Sequence, residues 1–161
     1  MYTKAVLFIC CLAVVTRLNQ LDLGARLSKD QIPEGNTFEC VATPSQTYPC
    51  VRLTIVGVRF VAGYDEKTRR IQYLSTQDRN FATKEGLHVG DWMRVREDEL
   101  VAFEGWKIVG PKTESGWRIV VGYLGQQVRF SDGTTLDLSQ VRHEAPRSGD
   151  VQILELEKGG V

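Results

Sequence analysis

Arg118-Ile119-Val120-Val121, followed by Val128-Arg129-Phe130, sets the organisation of this chain because both segments have an earlier echo. Arg52-Leu53-Thr54-Ile55 lies 66 residues before the first, and Val58-Arg59-Phe60 lies 70 before the second. Leu21-Asp22-Leu23-Gly24 matches Leu87-His88-Val89-Gly90 at 66, and Arg70-Ile71 matches Gln140-Val141 at 70. Offsets that hold over several blocks point to a duplicated unit with one small insertion. The insertion falls where Val56-Gly57 becomes residues 122–127, a stretch of loop character in which length changes are tolerated. The predicted organisation is repeat one over 20–77, a connector over 78–86, repeat two over 87–143 and a tail over 144–161.

Within each repeat the pattern predicts a short helix and then antiparallel strands. Ser28-Lys29-Asp30-Gln31 fits a helix-capping box that Pro33 soon stops, and Asp91 is a good N-cap for a helix over 92–102. Strands are predicted over 38–43, 50–56, 58–64 and 70–76, and again over 106–110, 117–123, 127–131 and 138–143. Turns fall at Gly110-Pro111-Lys112 and Asp132-Gly133; residues 151–156 could add a strand, and Lys158-Gly159-Gly160 is expected to fray. The predicted fold class is therefore α+β: two tandem repeats, each a short helix followed by an antiparallel sheet of about four strands, with helices on one face of a shared sheet. Period-two alternation assigns Val51, Leu53, Ile55, Val58, Phe60, Ile71, Trp117, Ile119, Val121, Val128, Phe130 and Val141 to the core.

The intervening positions form the other sheet face. Arg52 and Arg118 are repeat mates, as are Arg59 and Arg129, while Arg70 and Arg142 fall on the last strand of each repeat. Six arginines, with Thr54, Val61 and Val120 among them, would make that face basic, with an acidic counterweight in Glu97-Asp98-Glu99 on the second helix. Such a face suits an acidic protein surface; an ordinary solvated strand face, whose arginine stems cover apolar neighbours, has the same appearance in sequence. Trp106 is a second candidate contact, with inward packing as its alternative.

Twenty basic and twenty acidic side chains cancel in the 161 residues, so net charge gives no reason to expect nucleic acid as a partner. The apolar fraction of 42% and charged fraction of 25% are those of a globular chain. Residues 1–19 read as a signal peptide and its junction: Lys4 is a basic start, and 5–15 is an apolar run too short to span a bilayer. A buried first element and a lipoprotein are the competing readings, the latter disfavoured by bulky Phe8 and Ile9 before Cys10 and Cys11. Removal of the signal would leave Cys40 and Cys50 and no membrane span. An even count in an exported chain suggests one disulfide, closing a loop of about ten residues. At the 66-residue offset Cys40 falls on Trp106 and Cys50 on Gly116, both segments reading as hairpins.

Catalytic and metal motifs are sparse. His88 and His143 have no partner at metal-ligand spacing, no phosphate loop or nucleophile elbow is present, and no cofactor is expected. The leading expectation is a secreted or periplasmic, non-enzymatic protein-binding module. The alternatives are a binder of a small anion or acidic glycan on the same face, and an envelope enzyme with a cleft around Asp78, Asn80 and His88.

Leu23-Gly24 with Ser28-Lys29-Asp30-Gln31, then Val89-Gly90-Asp91 and the paired Val-Arg-Phe strands, give the chain a topology that resembles the beta-lactamase-inhibitory proteins. A single unit resembles the small outer-membrane-assembly lipoproteins of bacteria. The resemblance implies an exported, disulfide-containing, inhibitor-like binder that presents its concave sheet face to another protein. It departs at the turns Val56-Gly57 and Tyr123-Leu124-Gly125, which lack the acid of an inhibitory hairpin tip, and in a face rich in arginine rather than aromatic residues.

Overall fold

The computed structural model describes residues 17–43, 45–103, 107–123, 128–137 and 147–159. Among them there is no α-helix. The strands are β1 (Phe38–Thr43), β2 (Gln46–Ile55), β3 (Val58–Tyr64), β4 (Ile71–Thr76), β5 (Trp92–Arg96), β6 (Val101–Phe103), β7 (Lys107–Lys112), β8 (Arg118–Tyr123), β9 (Val128–Arg129), β10 (Thr135–Leu136), β11 (Ser148–Gln152) and β12 (Glu155–Gly159). Among the described residues helical geometry is confined to single 3-10 turns at Leu18–Gln20 and Glu97–Glu99. The α+β expectation is therefore corrected to a nearly all-β fold.

The two predicted helices fail for separate reasons. The Ser28 box does form: the Ser28 N–H donates to Gln31 Oε1 at 2.9 Å, and the Gln31 N–H to Ser28 Oγ at 3.3 Å. Pro33 follows before a second turn can start, so the box closes on one turn alone. In the second case Trp92, Arg94 and Arg96 are exposed while Val95 is buried, which is the period of a strand. β5 finds a partner in β11, where Val95 faces Gly149 and Arg94 faces Asp150, and this pairing overrides a weak helical pattern. Asp91 caps a turn rather than a helix, its Oδ2 accepting the His88 N–H at 2.8 Å.

Eight strands make one antiparallel sheet in the order β1-β2-β3-β4-β12-β8-β7-β6. Val56-Gly57 closes the β2–β3 hairpin with positive φ at both residues (51° and 78°), the twist that a two-residue hairpin requires. Repeat two does not copy this hairpin. Both edges of β8 are occupied, by β7 and β12, so residues 128–130 leave the sheet; Val128–Arg129 pairs with β10, and Phe130 bridges to Val151. The expected turn at Gly110-Pro111-Lys112 lies inside β7, with Pro111 at a register shift where a missing N–H costs no ladder bond. The chain reverses instead over residues 113–117, where the Glu85 carboxylate accepts the Ser115 N–H at 2.5 Å and its hydroxyl at 2.8 Å.

The tail differs most from expectation. The extra strand expected over 151–156 is divided between the end of β11 and the start of β12, and Lys158-Gly159, expected to fray, belong to β12, which is wedged between β4 and β8 with Lys158 opposite Leu74 and Gly159 opposite Tyr73. One sheet face carries the core. Val51, Leu53, Ile55, Val58, Phe60, Ile71, Trp117, Ile119, Val121, Val128 and Phe130 are all buried there as alternation predicted; Val141 lies outside the described residues. Leu27, Phe81, Val95, Leu100, Val151 and Ile153 cover them, and Phe81 stands between Phe60 and Trp117 at ring-centroid distances of 5.2 and 4.8 Å.

Candidate functional site

The opposite face holds the site. Cross-strand partners share a face, so Arg52, Val61, Ser75, Glu157 and Arg118 form one row across five strands. Cys50, Gly63 and Tyr73 form the next row. On a flat sheet, β1 and β7 would stand roughly 25–30 Å apart. Yet Phe38 and Val41 of β1 line the same hollow, of about 590 Å³, as Tyr123, Glu155 and Lys107. The sheet is therefore curled, and this face is its concave side.

The middle of the concave face is not open arginine surface. Val120, expected among exposed arginines, is fully buried, and beside it lies a closed polar network. Lys107, 2% exposed, donates from Nζ to Tyr73 Oη (2.9 Å), Glu155 Oε1 (3.0 Å) and Glu157 Oε2 (2.8 Å). Tyr73 donates to Glu157 at 3.3 Å and Tyr123 to Glu155 at 2.7 Å, while Gln77 Nε2 reaches Tyr123 Oη at 3.0 Å and Glu155 Oε2 at 3.3 Å. Three N–H donors of the ammonium meet three acceptors, which is what a buried charge requires. Burial alone would favour the neutral amine of Lys107, but the Glu155 and Glu157 charges outweigh it and hold its pKa above the ordinary value. Burial pushes the Tyr73 phenol up to about 12, against the opposing pull of Lys107, and raises Tyr123 with help from Glu155.

The Cys40–Cys50 disulfide lies beside this network, joining diagonal positions of β1 and β2 with Cα atoms 5.8 Å apart. Gly63 makes room for it: a Cβ there would stand 2.9 Å from Tyr48 Cβ, 3.1 Å from Tyr73 Cβ and 3.2 Å from Cys50 Sγ.

The predicted contact residues separate. Arg52 and Arg59 come together on the concave face, as a diagonal pair on β2 and β3 around a hollow of about 490 Å³ shared with Thr54, Gln77 and Asp78. The Arg52 guanidinium lies 4.3 Å from the Phe38 ring centroid. Asp78 holds Arg59 from beneath, accepting its backbone N–H at 3.1 Å and its Nε–H at 3.4 Å, while 81% of the Arg59 side chain stays exposed. Arg118 is half-buried, opposite Glu157 at the far end of its row. Arg129 is exposed on the separate β9–β10 ribbon. Arg70 turns to the N-terminal segment, donating to the Gly24 carbonyl at 2.7 Å. Arg142 and Trp106 lie outside the described residues. Glu97-Asp98-Glu99 is a tight turn, with Asp98 taken by Arg96 at 2.9 and 2.6 Å.

Around the repeat junction, backbone N–H groups of Asn80 and Arg59 hold the Asp78 carboxyl below its usual range, which suits an anchor better than a base. His88 Nδ1 faces the Arg79 carbonyl at 3.3 Å. Among the described residues no group of three or more His, Cys, Asp or Glu side chains could hold a metal ion, and no helix is long and apolar enough to cross a membrane.

Sequence reading missed Lys107, Tyr73, Tyr123, Glu155 and Glu157 as a unit. The legible signal was the alternation Glu155-Leu156-Glu157, which puts both carboxylates on one face of a strand; their lysine lies 48 and 50 positions earlier. Comparison of the chain with protein-family models, with curated proteins and with solved structures finds no match.

Proposed function

We propose that this chain is an exported, non-enzymatic binding module that holds an acidic protein surface on the concave face through Arg52 and Arg59. The observation that carries this reading is the pairing of the two arginines. They stand diagonally on adjacent strands, where neighbours lie roughly 7–8 Å apart, and both open onto one hollow. Phe38 and Asp78 orient them from the side and from below. Oriented guanidinium groups of this kind suit carboxylates, which they grip in a planar fork. A non-catalytic role is supported by the state of the neighbouring ionisable groups, since Lys107, Glu155, Glu157 and Asp78 are all engaged with one another or with the backbone. Export is supported by the apolar 5–15 segment of the sequence and by the disulfide.

The test is affinity capture from envelope and culture-medium extracts with the parent chain beside an Arg52→Glu/Arg59→Glu variant whose thermal unfolding matches the parent. A protein retained by the parent and released by the variant supports the reading and names the partner. Identical retention by both baits overturns it. Release of both by moderate salt, with an acidic oligosaccharide rather than a protein recovered, favours a glycan on the same arginines.

A further inference from the structure

β1 is one end of the eight-stranded sheet, and no described strand pairs with its outer edge. Strand alternation decides which backbone groups lie there. Along a strand, the N–H and C=O of one residue point to one side and those of the next residue to the other. Arg59 turns both to the β4 side, its N–H to Asp78 and its C=O to the Thr76 hydroxyl. Its partner on β2 is Thr54, so Thr54, Arg52, Cys50 and Tyr48 turn theirs the opposite way, toward β1. Phe38 and Cys40, paired with Cys50 and Tyr48, receive those bonds. Pro49, which has no N–H, falls opposite Glu39, where β1 and β2 exchange none. Glu39 and Val41 are left with N–H and C=O on the open edge.

Their side chains lie on the far face with Pro49 and Thr47, so it is their backbone that faces the hollow of about 590 Å³ they help to line. Soluble proteins blunt such edges with lysine, proline, a bulge or a very short strand. β6, the other end of the sheet, is three residues long. β1 is six, has neither lysine nor proline, and is regular over 38–41, its bulge falling after Val41.

We propose that an extended acidic segment of a partner protein adds to the sheet as a strand antiparallel to β1, exchanging backbone hydrogen bonds with Glu39 and Val41. This rests on the arginine reading above and gives the acidic partner a conformation. The pleat then specifies the partner's side chains. The residue opposite Phe38 shares its face, where the Arg52 guanidinium lies 4.3 Å from the ring centroid, and suits a carboxylate. The residue opposite Cys40 enters the hollow beside Val61, Tyr73 and Tyr123 and suits an apolar group. The residue opposite Val41 covers a side chain that is 39% exposed. From its N-terminus the added strand therefore reads apolar, apolar, any residue, acidic. A second copy of this chain is a poorer occupant: pairing Glu39 with its mate sets like charges together, and pairing Glu39 with Val41 leaves no acid opposite Phe38.

The probe is the peptide acetyl-Thr-Val-Phe-Thr-Glu-Thr-amide, followed by amide hydrogen exchange of the full chain. The peptide should slow exchange at Glu39 and Val41, whereas Cys40 should be slow with or without it. N-methylation of the valine and of the threonine before glutamate, whose N–H groups face β1, should weaken binding by about ten-fold or more. N-methylation of the phenylalanine and glutamate, which face away, should change it little. Glutamine in place of the peptide's glutamate should weaken binding about two- to five-fold in the parent and not in Arg52→Gln. Unchanged exchange at millimolar peptide, equal loss from both methylation patterns, or protection that grows with protein concentration alone would each overturn the proposal, the last by placing a second copy on the edge. Val41→Pro removes an N–H that β2 does not use and should also lose the protein that the parent captures. A captured protein lost by Arg52→Glu/Arg59→Glu but kept by Val41→Pro overturns strand addition and leaves the arginine contact standing. Loss by Val41→Pro alone supports strand addition and overturns the arginine contact.

Discussion

Replacing Lys107 with methionine would leave two carboxylates buried without their cation. The side-chain exposures of Lys107, Glu155 and Glu157 are 2%, 6% and 3%, so water at the edge of the hollow replaces little of what the lysine supplies. Methionine matches the stem in length and keeps the packing, which confines the perturbation to charge and hydrogen bonding. Removing one partner of a buried pair costs about 3–5 kcal/mol, a large share of the ~5–15 kcal/mol by which small domains are stable. The cost must depend on pH. With no cation beside them, the two buried carboxylates carry uncompensated charge at neutral pH that protonation in acid removes, so the Lys107→Met penalty should be largest near neutrality and shrink in acid. A companion variant, Lys107→Met/Glu155→Leu/Glu157→Leu/Tyr73→Phe, removes the stranded carboxylates and the Tyr73 hydroxyl that would lose its partners. It should recover most of the loss. Urea unfolding of parent, single and quadruple variants at two pH values measures all three quantities. A single-variant loss below about 1 kcal/mol, or one that does not change with pH, would refute the account of Lys107 as the cation that neutralises this network.

Other consequences are independent of that one. In alkali, a phenol held up to about 12 in the fold but titrating near 10 when unfolded contributes stability below pH 10 that is lost as pH rises toward 12; Tyr73→Phe should remove that alkaline loss, seen as a flatter Tm against pH above 9.5 or so. Val56 is a β-branched residue at φ 51° and is 74% exposed, so Val56→Asn should stabilise the β2–β3 hairpin by roughly 1 kcal/mol in thermal melts. Cys40→Ser/Cys50→Ser should cost about 2–3 kcal/mol, the loop-closure value for a separation of 10, in denaturant titration under non-reducing conditions. Gly63→Ala places a methyl group against Tyr48, Tyr73 and the disulfide and should lose about 1–3 kcal/mol by the same assay, although its φ is unstrained.

Much of the β1–β4 half was legible from local pattern. The 38–43 and 58–64 strands have the predicted bounds, and the alternation Val51-Arg52-Leu53-Thr54-Ile55 divides buried from exposed as written. Strand periodicity is a local property, set by the pleat and by one dry face, and survives whichever partners the strand finds. The disulfide was legible for a similar reason: ten residues spanning a hairpin bring diagonal positions within reach. The helices were not, because a capping box states only how a turn begins. Pro33 truncated one, and a partner strand more than 50 residues away claimed the other.

The site depended on long-range pairing. Nothing near Glu155 and Glu157 announces that β12 enters between β4 and β8, because strand order is decided by which edges are left open once the hairpins have formed. That insertion separates Arg52 from Arg118 by three strands, buries Val120 and brings Lys107 to its two carboxylates. Curling of the sheet then carries β1 over the same network and makes a hollow from residues that no sequence window contains together. The residue order specified each strand's wet and dry faces through side-chain alternation. Which wet faces stay wet was settled by long-range packing, where burying a lysine is tolerable only because two glutamates and a tyrosine arrive at the same place.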